Sequence, residues 1–220
     1  MVQQKTLRVK FTKVGKLQYI SHLDLLRTMQ TALRRAKVKM MYSEGFNPHM
    51  KITFALPLSI GIESVCEYMD IKTDESVTPE YVKENLSKNL PTDMKVIDVY
   101  EPQSKLTEIK YAEYEVYLDY EKESENAAMF ASGIFSGELV VTKRTKKGEK
   151  EVDISPMIKS VISSYVDGIT VLKMKLCADS ENYLNPFYLT SVLDKEVGSE
   201  AFSRRVVRTN TYFEDGTVFA

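Results

Sequence analysis

The sequence predicts an α+β chain of two sandwiches in tandem, and three observations carry that prediction. Period-2 and period-3.6 hydrophobic patterns follow one another in the order β-α-β-β-α-β over the first hundred residues, the pattern resets around "QSKLTEI" (103–109), and a second run of strands and helices follows. A chain of 220 residues, 43% hydrophobic and 28% charged, is long enough to bury the cores this requires.

In "TLRVKFTKVG", Leu7, Val9 and Phe11 alternate with Arg8, Lys10 and Thr12, which predicts a half-buried strand with a basic outer face. "YISHLDLLRTMQTALRRAKV" predicts a helix whose start resembles a capping box, with Ser21 followed three residues later by Asp24 where Glu or Gln is usual. At 100° per residue Leu25, Leu26, Met29, Ala32, Leu33 and Ala36 fall in one arc and Arg27, Gln30, Thr31, Arg34 and Arg35 in the opposite one. "KITFALPLSIGIES" and "SVCEYMDIKT" read as strands around a Pro57/Gly61 turn region. "TPEYVKENLSKNL" reads as a helix capped by Thr78 with Pro79 at its first position, and "MKVIDVYEP" as a closing strand. The order is that of a ferredoxin-like sandwich.

After the reset, "KYAEYEVYLDY" alternates as a strand and "SENAAMFASGIF" reads as a short helix. "ELVVTKRTKKGEKEVDI" predicts a hairpin with Lys147-Gly148 at its tip, and "VISSYVDGITVLKMKLCAD" a hairpin with an Asp167-Gly168 turn. "NPFYLTSVLDKEV" is a helix begun by Asn185-Pro186, and "SRRVVRTNTYF" a last strand. The expected organisation is a basic ferredoxin-like domain over 1–105 and an acidic α+β domain, a ferredoxin-like variant, over 106–220.

Residues 1–60 carry eleven Lys/Arg against Asp24 and Glu44, a net of +9, while the other 160 residues carry 19 basic and 29 acidic side chains, a net of -10. A basic block on an acidic body is the asymmetry expected of a protein that lays one surface against a polyanion. No window approaches eighteen apolar residues and "MVQQKTLRVKF" has no apolar signal region, so a cytoplasmic protein without a membrane span is expected. With two Cys and two His, an all-Cys/His zinc site is nearly excluded, and a cluster needing three or more of the chain's own Cys is excluded outright. Cys66 and Cys177, each among apolar neighbours, suit buried reduced thiols. No metal or other cofactor is expected.

The segment "YSEGFNPHMKITFA" (42–55) concentrates chemistry in a loop. Gly45 permits a positive φ, and Pro48 fixes its own φ and biases Asn47 away from the helical region. Phe46, Asn47 and His49 would then face outward: a ring can stack on an unpaired base, an amide can read a base edge, and Lys51 can pair with phosphate. The competing reading makes Phe46 a core plug and Asn47-Pro48 only a turn. One Gly and no Gly-Lys-Ser/Thr give no support for a phosphate-cradling P-loop. His22 lies near the apolar arc one residue after the N-cap, where backbone groups can satisfy a neutral imidazole. Its chemical alternative is general acid/base work on a ribose 2′-hydroxyl with Tyr19 and His49, as in repeat-processing endonucleases built on tandem ferredoxin-like domains. "TKRTKKGEK" is either a second phosphate-touching finger or a solvated tip, and Arg204, Arg205 and Arg208 either extend the basic surface or neutralise the acidic half internally.

The long stretch "LQYISHLDLLRTMQTALRRAKVKMMYSEGFNPHMKITFALPLSIGIESVCEYMDI", with "VDISPMIKSV", "LNPFYLTSVL" and "RRVVRTNTYFEDG", resembles the radical-SAM-linked protein family, whose members stand beside, or extend, B12-binding-type radical SAM proteins. Met50 stands where relatives usually have a second Pro. The resemblance implies a radical SAM partner protein rather than radical SAM chemistry in this chain, which lacks the three-cysteine motif. Taken together, the expectation is an RNA-binding accessory protein that presents a tRNA or rRNA to that partner through Arg27, Arg34, Arg35, Phe46, Asn47, His49 and Lys51, with no DNA and no membrane as partner. A metal-independent ribonuclease using His22, His49 and Tyr19, and a protein scaffold for the radical SAM partner, are the alternatives.

Overall fold

The computed structural model describes residues 3–145, 148–179 and 181–220. The chain is α+β and divides into two units, residues 1–108 with Ala220, and 109–219.

In the first unit the strands are β1 (Gln4–Lys13), β2 (Ile52–Phe54), β3 (Ile62–Asp74) and β4 (Val96–Tyr100), and the helices α1 (His22–Arg35) and α2 (Pro79–Ser87). All pairings are antiparallel, in the order β4-β1-β3-β2. Alternation works as the sequence predicts: Leu7, Val9 and Phe11 of β1 and Met69 and Ile71 of β3 point to one face, where they pack with Leu25, Met29, Ala32 and Leu33 of α1 and Val82 and Leu86 of α2. Ser21 Oγ accepts the Asp24 N–H at 3.1 Å and donates to Asp24 Oδ2 at 2.7 Å, so the shorter acid still closes a cap. Thr78 caps α2 the same way, accepting from Tyr81 N–H at 3.2 Å. Where α1 ends, Val38 N–H donates to Leu33 O and Lys37 N–H to Arg34 O, a Schellman turn with Lys37 in the left-handed position at φ 56°.

Two expectations about this unit need correction. The second strand is only three residues long, because Pro57 cannot donate to a ladder and the chain runs irregularly until Gly61 (φ 86°) turns it into β3. The outer face of β1 is also not a basic surface. Arg8 is 0% exposed, and the half-buried Lys10 lies over the Tyr68 ring at 5.4 Å. Arg8 makes two bonds to Asp70, 2.7 and 3.0 Å, and reaches Ser104 Oγ and O. Burial lowers the Arg8 pKa, but the bonds and charge of Asp70 more than offset it and leave it raised.

In the second unit β5 (Tyr111–Asp119), β8 (Ile158–Val166), β9 (Ile169–Cys177) and β10 (Ser203–Tyr212) form an antiparallel set in the order β10-β5-β9-β8. The helices are α3 (Ser124–Ile134) and α4 (Phe187–Val197), and β6 (Val140–Thr145) pairs with β7 (Gly148–Asp153) as a separate hairpin whose expected tip residue Lys147 lies outside the described residues. Ala112, Tyr114, Val116 and Leu118 are fully buried on alternate positions of β5. α3 offers Ala127, Ala128 and Ala131, and α4 offers Leu189 and Leu193, as buried side chains. Asp167 and Gly168 both have positive φ, 50° and 86°, the two-residue hairpin turn that their sequence predicts.

The arginines of β10 are largely spent inside this unit. Arg204 pairs with Asp194, which also accepts the Tyr120 hydroxyl at 2.7 Å, Arg205 lies over the Tyr117 ring, and Arg208 is 1% exposed. Cys66 and Cys177 are buried and neither forms a disulfide. Among the described residues, no helix is long and apolar enough to cross a membrane.

Breaking the buried Arg8–Asp70 pair strands a charge with no water. Asp70→Ala is therefore expected to cost about 3–5 kcal/mol of folding stability. Removing the exposed Lys88–Glu84 pair by Lys88→Ala is expected to leave stability nearly unchanged, since solvent screens it. Denaturant titration of the two variants checks the contrast.

Candidate nucleic-acid interface

The loop after α1 is held as a hairpin by its own main chain. Tyr42 bridges Met50, Ser43 N–H donates to His49 O at 2.9 Å, and Lys51 N–H donates to Met41 O at 2.9 Å. Ser43 Oγ accepts the His49 N–H at 3.1 Å and lies 2.8 Å from His49 Nδ1, which fixes the imidazole to its own loop. Met50 fills the base of the hairpin, 4% exposed. Gly45 turns the tip with φ 114°. Phe46 is 112% exposed, so it plugs no core, and Asn47, Pro48 and His49 are exposed around it.

The cations sort into separate places. A groove of about 440 Å³ runs along α1 and is lined by Arg27, Thr28, Thr31, Ala32, Arg35, Asn89, Leu90 and Pro91. Arg27, Thr31 and Arg35 recur every fourth residue and so form one row on the helix, opposed by the chain that leaves α2. Arg27 touches Asp24 at 3.4 Å, whereas Arg34 and Arg35 have no ion pair among the described residues. The Ser21 hydroxyl, with help from Arg27, holds the Asp24 carboxyl below the usual carboxylate range. Arg34 is exposed outside this groove.

A second groove of about 430 Å³ is lined by Thr6, His49, Met50, Lys51, Ile52, Thr53, Asp70 and Lys72. Thr6, Asp70 and Lys72 alternate with Leu7 and Ile71 of the core, so this groove belongs to the face of the sheet opposite α1. The expected contact set is thus not one patch. Arg27 and Arg35 share one groove, His49 and Lys51 share another, and Phe46 and Asn47 stand at the hairpin tip. Lys39, whose carbonyl accepts Asp74 N–H, and the exposed Lys37 lie on the chain linking α1 to that hairpin.

The proposed acid/base set is not assembled. No hydrogen bond or ring contact joins His22, His49 and Tyr19. His22 packs edge-on to Phe54, with centroids 5.2 Å apart, at a small enclosed cavity that Lys13 and Glu67 also line, on the helix side of the sheet. Tyr19 is 65% exposed. Among the described residues, no three His, Cys, Asp or Glu side chains group as metal ligands.

Sequence reasoning missed Thr28, Thr31 and Asn89 as groove walls, and Lys72 as the neighbour of His49 and Lys51. The row at 27, 31 and 35 is a signal that could have found Thr31. The placement of Asn89 and Lys72 depends on tertiary packing alone.

A family model described as "Uncharacterized protein conserved in bacteria (DUF2344)" matches residues 6–186, and the chain belongs to that family. A search of the curated proteins finds no match. Among solved structures, a chain from "Crystal Structure of a Cbf5-Nop10-Gar1 Complex" is similar in fold, with a TM-score of 0.53 at 9% identity, over 93% of this chain and 48% of that one. This chain thus spans about half the length of that relative. A chain from "Crystal Structure of an Unknown Protein from Galdieria sulphuraria" (TM-score 0.28, 10% identity, 93% and 96% covered) also matches. So does a chain from "Crystal structure of putative glycine cleavage system transcriptional repressor" (TM-score 0.27, 10% identity, 93% and 98% covered).

An exposed Phe46 leaves no cavity when truncated. Phe46→Ala is expected to change folding stability by less than about 0.5 kcal/mol, against the loss of about 3–5 kcal/mol typical of a buried phenylalanine. A thermal unfolding curve beside the wild type measures this.

Proposed function

We propose that this member of the DUF2344 family is an RNA-binding accessory protein that holds a structured RNA, a tRNA or rRNA, and presents it to a radical SAM partner. The observation that carries the reading is Phe46, a phenyl ring wholly in solvent at the tip of a hairpin braced by its own hydrogen bonds. An aromatic so placed is a platform for an unpaired base, which accepts stacking from either face and any sequence. Asn47 beside it offers an amide to a base edge.

The electrostatics support the same reading. Lys16, Arg27, Arg34, Arg35, Lys37 and Lys39 are exposed on the first unit. Lys37 holds a left-handed position at the C-terminal end of α1 and keeps its charge in solvent beside the hairpin. The groove between Arg27 and Arg35 suits a phosphate, with Thr28, Thr31 and Asn89 as neutral hydrogen-bonding neighbours. RNA would run from this groove past Lys37 and Lys39 to the hairpin tip.

We read each unit as a ferredoxin-like sandwich. In its own strand count each sheet has the order 4-1-3-2, and each has one helix after its first strand and one before its last. The radical SAM partner rests on the resemblance carried by "YISHLDL" and "YSEGFNPH".

Phe46→Ala is expected to weaken binding of the cognate RNA about ten- to hundredfold while leaving the fold intact, since base–aromatic stacking is worth about 1–3 kcal/mol. For the wild type, log affinity should fall linearly with log salt, by roughly -0.7 per neutralised single-strand phosphate. Arg27→Ala with Arg35→Ala should flatten that slope. Filter binding with RNA recovered by crosslinking reads both, and an affinity indifferent to Phe46 with a slope indifferent to the arginines removes this surface from RNA recognition.

A further inference from the structure

We propose that β8 is a pairing edge through which two copies of this chain associate, strand against antiparallel strand, about a two-fold axis at Ser163. In the second unit β8 is the last strand and is bonded to β9 on one side only. The Asp167-Gly168 turn closes on Val166 and Ile169, the hydrogen-bonded pair of a two-residue hairpin. Antiparallel alternation then aims the main-chain groups of Val166, Ser164, Ile162 and Ser160 at β9, and those of Tyr165, Ser163 and Val161 away from it. The register runs without a break from Ser160 to Val166. Among the described residues, no main-chain hydrogen bond reaches these outward groups.

Proteins normally blunt such an edge with a charge, a proline or a bulge. "SVISSYV" (160–166) has no charged residue and no proline, and the one irregularity of the pairing sits before it, between Ile158 and Ser160. Its apolar side chains stay in solvent: Ile162 is 65%, Tyr165 47% and Val166 47% exposed.

The strand complements itself better than it complements a generic peptide. With the axis at Ser163, that residue faces its own counterpart and Val161 faces Tyr165, so every outward N–H and C=O is used, in about six bonds. Sliding one copy by two residues leaves only about four, because the next pair falls on the irregularity or the turn. No like charges oppose one another, and an aromatic meets a β-branched residue on either side of the axis. The contact is isologous and closes at two copies. Behind the strand, Ser163 Oγ donates to Ala128 O at 2.8 Å and lies 2.6 Å from Ser132 Oγ, which fixes one flank of α3 beside the axis. Met129, 69% exposed, is three residues before Ser132 on that flank and supplies apolar cover.

Sedimentation equilibrium of the full chain over a concentration series tests this. The wild type is expected to pass from the mass of one chain to that of two as concentration rises. Tyr165→Pro removes an outward N–H without touching the β9 ladder, and Ile162→Lys sets two like charges diagonally across the axis from a side chain already in solvent. Each should weaken the dimer at least about tenfold, with thermal unfolding showing that the fold survives. If the proline variant fails to fold, the lysine variant decides alone. A wild type that remains a single chain throughout, or a dimer that the folded variants leave unchanged, overturns the proposal.

Discussion

The fork of bonds between Arg8 and Asp70 is the interaction on which the first unit turns. A guanidinium with no exposure cannot be left without acceptors, because the cost of stripping its water would exceed what one domain can absorb. Asp70, directly across from Arg8 in the β1–β3 register, supplies two acceptors, and Ser104 supplies two more from the chain that follows β4. The pair therefore fixes the register of the two central strands and ties the end of the unit to its middle. A one-residue slip of β1 would part the charges and turn Leu7, Val9 and Phe11 to the wrong face.

That pairing also reshapes the charge argument. Arg8 and Lys13 contribute to the surplus of positive charge in the first sixty residues but present none of it to a ligand. Apart from Lys16, the exposed cations of that block lie on α1 and on the chain after it, where Arg34 and Arg35 have no ion pair among the described residues. The second unit behaves differently. Asp194 gathers Arg204, the Tyr120 hydroxyl and the Ala201 N–H, so a basic side chain near its last strand is consumed within the unit. Burial and the bond to Asp194 both hold the Tyr120 hydroxyl protonated well above the usual range.

Much of this could be read from the residues because it is local. The α1 arc, the Ser21 and Thr78 caps and the Asp167-Gly168 turn each follow from side-chain spacing or a required φ, and each stands where the pattern put it. Alternation told which way Arg8 points, but not that Ser104 and the chain around it would cover that face, since covering is a tertiary event. The same gap explains the split interface. Sequence neighbours such as Arg35 and Lys51 were pooled by charge, whereas a sheet with helices on one face sends Lys51 and His49 to the other. The open edge of β8 was likewise hidden, because whether a strand is central or terminal depends on the strand order, not on its composition.

Phe46 and Lys37 are connected by the path of the chain. A helix that ended at a glycine C′ would turn just as sharply, but the cation next to the hairpin would be gone. A hairpin whose tip buried its phenyl ring would gain stability. Phe46 thus stands where folding energy alone would choose otherwise, nine residues beyond Lys37, on a hairpin braced by the main-chain bonds from Ser43 to His49 and from Lys51 to Met41. The exposed ring of Phe46 adds nothing to the core, whereas the charge of Lys37 at the C-terminal end of α1 also complements the dipole of that helix.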